Sequence, residues 1–252
     1  MRYQFFAALI LAALLTCPAY GSVTATASSA GGHAAQAVFD VVDGNLIIKV
    51  TNLSKRDATS KRDILTGIYF DTSKPMSLKY LNAGKGEKSR MLRGGDPSSL
   101  KDKWAFASGS KSLQASGSRY GLGTVSMGGL FSGVKGANFG LTSANDNAST
   151  FGKQLLKNEI VFVLTGLPRN FDPETGITGV VFQYGTKKKG SRLVGDLAAS
   201  VESLAHLVNK MPPLDGTNPR TGGRDAVATP APTALAGGLL LLGAMLARRR
   251  RG

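Results

Sequence analysis

His33 and His206 are the only imidazoles in the chain, so a hydrolase triad or a zinc centre would have to be built on them. His33 lies in a Gly/Ala-rich stretch and His206 in an apolar-periodic one. No G-x-S-x-G nucleophile elbow occurs, and two lone histidines do not make a zinc site. Surface or packing roles are expected for both. Ala83-Gly84-Lys85-Gly86-Glu87-Lys88-Ser89 has the residue types of a phosphate loop but not the G-x-x-x-x-G-K-[ST] spacing that makes the amide cradle, so it reads as a solvated basic loop. Asn145-Asp146-Asn147 offers oxygens but lacks the calcium-loop spacing and its distal Glu, which leaves a turn. The 16 Asp and Glu admit a glycosidase pair by type, yet context singles out no two of them. Lys187-Lys188-Lys189 is the densest basic run of the body, read as solvated turn charge, with anion contact as the functional alternative. The one cysteine, Cys17, sits in the first apolar run. A chain cut after that run has no disulfide, thiol or cysteine-metal chemistry. No catalytic, metal or cofactor residue is assigned, and no enzyme is expected.

Charge says more. The formal net charge is +15. Setting both ends aside removes only Arg2 and the four terminal arginines and no carboxylate, so the body is basic in its own right. A basic surface attracts anionic polymers without naming one. Having no specific partner ranks first, acidic polysaccharide or envelope phosphate next, and nucleic acid last.

The ends read as targeting segments. Arg2 is followed by an apolar run over residues 5–15, then Ala19-Tyr20-Gly21 before Ser22. A positive start, an apolar stretch and a small-x-small site make a secretory signal over 1–21, with the signal-peptidase cut between Gly21 and Ser22 and Ala19 at the −3 position. A retained anchor and a lipid on Cys17 are the alternatives; Thr16 and Pro18 around that cysteine suit lipidation poorly. At the other end, Pro230-Ala231-Pro232 precedes an apolar run over 233–247, then Arg248, Arg249, Arg250 and Arg251. Fifteen residues make a helix of about 22 Å, short of the ~20 residues that a stable span prefers. The arginines are expected to stay cytoplasmic, with the body outside.

This arrangement over 229–252 resembles the PEP-CTERM sorting tail: a proline-x-proline motif, an apolar helix and an arginine block. The resemblance implies processing by an exosortase-like transpeptidase and transient anchoring by the C-terminal helix. The family's usual middle Glu is Ala231 here. A plain C-terminal anchor is the alternative.

The elements between the ends read mainly as β. The 32 glycines in 252 residues exceed the usual ~7% and favour a turn-rich β protein over a helical bundle. Residues 22–35 are small and polar and are expected to form a flexible leader. Asp43-Gly44, between the runs 36–42 and 45–53, is a strong hairpin signal, and Leu46, Ile48 and Val50 alternate onto one face. A charged loop follows over 54–63. Further strands are expected at 64–70, 159–165 and 178–184, with weaker ones at 78–81 and 104–107 and glycine-interrupted strands over 107–152. The whole of 36–190 is read as a Gly-rich antiparallel β-sandwich, with Val38, Leu46, Ile48, Ile68, Phe70, Val161, Val163, Val181 and Tyr184 in its core. Val194, Leu197, Val201, Leu204 and Val208 recur at helical spacing, predicting an amphipathic helix over 191–210. Residues 211–228 read as a linker. Leu65-Thr66-Gly67-Ile68-Tyr69-Phe70-Asp71, the Tyr120-Gly-Leu-Gly run, Phe139-Gly140-Leu141 and Val181-Phe182-Gln183-Tyr184-Gly185-Thr186 resemble blocks of exosortase-dependent surface proteins. That resemblance implies surface location and no established chemistry.

The functional expectation is an exported, non-enzymatic cell-surface or matrix protein. The runner-up is a surface-displayed carbohydrate-binding module, which would need Trp104, Tyr80 and Tyr120 exposed on one sheet face. A secreted hydrolase comes third and would require a cleft holding two close carboxylates.

Overall fold

Asp43 (φ 50°) and Gly44 (φ 73°) both take positive φ and close a two-residue hairpin in which Val42 pairs with Asn45. This is the turn their residue types favour. In the computed structural model, which describes residues 21–97, 99–109, 113, 117–124, 136–146, 153–186 and 191–211, that hairpin joins the second and third of thirteen strands. They are β1 (Ser22–Ser28), β2 (Ala34–Val42), β3 (Asn45–Asn52), β4 (Leu65–Thr72), β5 (Lys79–Lys85), β6 (Arg90–Met91), β7 (Ala105–Ser108), β8 (Tyr120–Gly123), β9 (Leu141–Thr142), β10 (Leu156–Lys157), β11 (Glu159–Thr165), β12 (Ile177–Tyr184) and β13 (Arg192–Ser200). Among the described residues, helix is limited to a 3-10 turn at Lys61–Asp63, the single turns α1 (Pro173–Gly176) and α2 (Ala205–Val208), and the helical position Leu113.

The strands make one nearly closed, mainly antiparallel sheet. One layer runs β5-β11-β3-β2-β1; the other holds β12-β4, with β8-β7 and β9-β10-β6 beyond β4. Two elements join the layers. The first half of β13 pairs with β12 (Leu193 opposite Phe182), and its second half pairs with β1 (Leu197 opposite Ala25). On the far side β10 runs through Asn158, at φ 79°, into β11 of the first layer. The β9–β10 pair is parallel.

The core between the layers is aromatic. Phe39 meets Phe70 edge-on at 5.5 Å, Phe70 stacks on Tyr120 at 5.1 Å, and Trp104 meets Phe162 at 5.2 Å. Such contacts add to the area that the rings bury. The Trp104 indole N–H donates to the Phe139 carbonyl at 3.0 Å. Of the expected core residues, Leu46, Ile48, Ile68, Phe70 and Tyr184 lie here. Val38, Val161 and Val163 are buried too, but on the outer face of the first layer, beneath Leu204 and Leu207. Val181 is only partly buried, beside Tyr69 on the outer face of the second layer.

Two expected segments are corrected. Residues 22–35 are not a loose leader. Val23, Ala25 and Ala27 face inward and are buried, and β1 pairs on both edges. Small residues suit a close approach between layers, and their smallness hid the period-2 pattern. Residues 191–210 are not one helix. They form β13, a crossing segment and the single turn α2. The inward residues at the start of β13 are Leu193 and Gly195, whereas Val194 is 74% exposed and Val201 fully so. Only the end of the apolar series packs, with Leu204, Leu207 and Val208 lying on the outer face of the first layer. The β domain therefore begins at Ser22 and extends beyond 190.

No helix among the described residues is long and apolar enough to cross a membrane. The sorting motif, the apolar run and the arginines of 229–252, the linker from 212 on, the signal residues up to Tyr20 with Ala19, and Lys187-Lys188-Lys189 lie outside the described residues.

Candidate functional site

One group of chemistry-bearing side chains converges where the β1–β2 turn meets the loop after β3. Asn52, the last residue of β3, donates from its side chain to the Leu141 carbonyl at 2.9 Å and accepts from the Ser54 N–H at 3.0 Å. This ties the loop's start to β9. At the loop's end, Ser60 and Asp63 form a capping box on the 3-10 turn, an arrangement that reciprocally satisfies two free N–H groups at the turn's start. Asp63 Oδ2 accepts from the Thr59 and Ser60 N–H groups at 3.0 and 2.7 Å, and from their hydroxyls at 3.2 and 3.0 Å.

His33 enters from the β1–β2 turn. Its Nε2 lies 3.2 Å from Asp63 Oδ1. An ionised carboxylate can only accept, so Nε2 carries the proton. The ring stacks on Tyr184 at 4.4 Å with the planes 9° apart. The Tyr184 hydroxyl lies 2.8 Å from the Ala34 carbonyl, 3.1 Å from Asn52 Oδ1 and 3.3 Å from Ser54 Oγ. Burial pushes the Tyr184 phenol well up, against the opposing effect of its hydrogen bonds with Ser54 and Ala34. Partial burial pushes the Asp63 carboxyl up as well, but hydrogen bonds from His33, Ser60 and Thr59 outweigh it and hold the group below its ordinary value.

These contacts bound a cleft of about 200 Å³ lined by Gly32, His33, Ser54, Arg56, Asp57, Thr59 and Asp63. It contains a serine, a histidine and two aspartates, but they are not arranged as a triad. Ser54 accepts from the Ala34 N–H at 3.1 Å, and its other neighbours are Tyr184 and Ala34. No hydrogen bond among the described residues joins it to His33. Both oxygens of Asp63 are taken by donors, so it is an ionised structural carboxylate with no proton to give. A glycosidase acid needs the opposite shift. What the cleft does offer is cationic. Arg56 crosses it and donates from Nη2 to the Gly31 carbonyl. Lys55, Arg56, Lys61 and Arg62 are all exposed, and none of the four has an ion-pair partner among the described residues.

The other candidates from the sequence resolve separately. His206 is an exposed residue of α2, 3.9 Å from Glu87 Oε1. The 83–89 loop is held by Glu159, whose carbonyl accepts from the Gly86 N–H at 3.3 Å and the Ser89 hydroxyl at 2.7 Å. Its amides thus serve the fold. Asp146 closes a turn onto Ser143 at 3.2 Å, and its fully buried carboxylate accepts from the Ala58 N–H at 3.4 Å. It braces the same 53–63 loop. The described residues hold no cluster of three or more metal-ligating side chains. Trp104 and Tyr120 are 1% and 2% exposed, and Tyr80 packs against the core. The three aromatics proposed for sugar stacking therefore point inward. Gly21 precedes β1, and Ser22 pairs with Ser200 as its first residue.

The His33–Asp63 cleft escaped the sequence reading, because His33 meets Asp63 30 residues away and Tyr184 meets Ala34 150 residues away. The available signal was the doubled Ser-Lys-Arg-Asp of 54–57 and 60–63, whose second copy is the capping box. Comparison with known proteins finds no matching family model, no matching curated protein and no matching solved structure.

Proposed function

We propose that this chain is an exported, non-enzymatic protein of the cell surface or extracellular matrix. A nearly closed β domain is displayed outside the membrane and sorted by the C-terminal tail. The carrying observation is the agreement between two independent boundaries. The small-x-small motif assigns Ser22 as the first mature residue, and Ser22 is also the first residue of β1, paired with Ser200. A cut there removes no strand of the described residues. Pro230-Ala231-Pro232 and Arg248 to Arg251 then serve as the processing motif and the cytoplasmic stop for an exosortase-like transpeptidase.

The test is the intact mass of the protein recovered from surface fractions. The expected mass begins at Ser22 and lacks the residues after the tail's processing point. A lipidated N-terminus at Cys17 would transfer anchoring to a lipid. Molecules uniformly ending in Gly252 would reduce the tail to a plain anchor.

A further inference from the structure

We propose that the cleft between the β1–β2 turn and the 53–63 loop is a binding site for the oxyanion groups of an acidic polysaccharide, with the Arg56 guanidinium as its recognition element. The inference rests on the surface reading above, since it requires this end of the domain to face extracellular polymer.

Arg56 is poised rather than spent. A guanidinium carries five N–H donors in a planar fork, and the Gly31 carbonyl takes one of them, from Nη2. The side chain lies so close to the turn that a Cβ on Gly32 would come within 2.9 Å of its Nε and Nη2. The fork is thus held against backbone while four N–H groups remain. Openings flank it on both sides. One is the cleft of about 200 Å³. The other, of about 380 Å³, is bounded by Ser28, Ser29, Ala34, Leu53 and Lys55. Both are walled by Gly32, His33 and Arg56, so each opens onto the arginine.

Charge around the fork favours an anion. Lys55 lines the second opening, Lys61 and Arg62 are exposed on the 3-10 turn that ends at Asp63, and none of the three has an ion-pair partner among the described residues. Two carboxylates, Asp57 and Asp63, also line the cleft, but the oxygens of Asp63 are turned to its five hydrogen bonds, and the four cations of 55–62 outnumber the pair. A planar fork matches carboxylate and sulfate oxygens in pairs.

The same geometry disfavours nucleic acid. Binding of single strands relies on open aromatic platforms, and the rings here, His33 and Tyr184, are stacked on each other. It also replaces the stacking mode that the buried Trp104 and Tyr120 do not support.

The experiment measures binding of full-length protein in detergent to polygalacturonate, dextran sulfate and an oligothymidylate at physiological salt. The expected result is binding to one or both polysaccharides, weakened ~tenfold or more by Arg56→Gln, the range for a charge-assisted hydrogen bond. Arg56→Lys should weaken it nearly as much, because it keeps the charge and loses the fork. Lys101→Gln, at an exposed lysine elsewhere, should have little effect. The polygalacturonate and dextran sulfate arms tell carboxylate from sulfate. The site is refuted if Arg56→Lys binds like the unaltered protein, if Lys101→Gln is equally damaging, or if neither polysaccharide binds. Preference for the oligothymidylate also overturns it. Surface fractionation of the Arg56→Gln protein is read separately, so failure of localisation and failure of binding are told apart.

Discussion

Asp63 is the residue on which the charged loop turns. Four donors from Thr59 and Ser60 and one from His33 reach its two oxygens. Asp63→Asn keeps the shape but gives up the charge and half the acceptor capacity, so it should cost about 1 kcal/mol, the usual scale for a lost cap. The pH dependence has a definite sign. The folded carboxyl sits below its unfolded value of about 3.9, so its contribution is complete above that value and is lost as pH falls through the lower, folded one. Urea denaturation should show the Asp63→Asn penalty at pH 7 and a smaller one at pH 3. An equal penalty at both would mean that charge plays no part. A capping box with a neighbouring doubled motif is local and was visible as residue types. The histidine that completes it was not, because only the fold brings residue 33 to residue 63.

β13 and the segment after it show how one pattern can serve two structures. Val194, Leu197 and Val201 fall at helical spacing with Leu204 and Val208, yet the first three lie on or beside a strand. β13 turns Leu193 and Gly195 inward, and the glycine weakens the apolar signal on that face. The hairpin at Asp43-Gly44 was legible because the turn chemistry is local. The choice between strand and helix at 192–200 was not, because it depends on pairing with β1, 170 residues earlier. Substitutions separate the alternatives. Val194→Asp, on an exposed strand position, should change stability by no more than about 0.5 kcal/mol. Leu204→Ala, under which Val38, Ile47 and Val161 are buried, should cost roughly 2–4 kcal/mol. Thermal melts giving the reverse order would restore the single helix. The crossing segment is further tied by the Leu204 N–H donating to Asp40 Oδ2 at 2.7 Å and by the Lys49–Glu202 ion pair. Truncation after Ser200 should therefore leave an apolar outer face bare and cause self-association, measurable by light scattering.

For the whole molecule, the mainly β class and the Asp43-Gly44 hairpin were readable from glycine content, turn signals and alternation. Near-closure was not, because it depends on β13 and on the β10–β11 strand each serving two layers. The proposed targeting segments belong to this scale as well. Replacing Pro230 and Pro232 with alanine should leave export intact and block tail processing, since proline disfavours helix and holds the adjacent backbone open. Replacing Arg248 to Arg251 with serine should reduce both membrane retention and processing. Immunoblots of membrane and surface fractions for each variant check these outcomes, and unchanged processing in the proline variant would remove that motif from the reaction.

β1 has one partner that follows it at once and another that arrives last. Its outer edge is completed only when residues 196–200 are present, so a chain emerging N-terminus first holds the first strand half-paired until nearly the whole domain is out. Contacts this distant in sequence slow folding. On the proposed route of export that delay would be useful, because a polypeptide that cannot finish its sheet early stays threadable until its last strand is free.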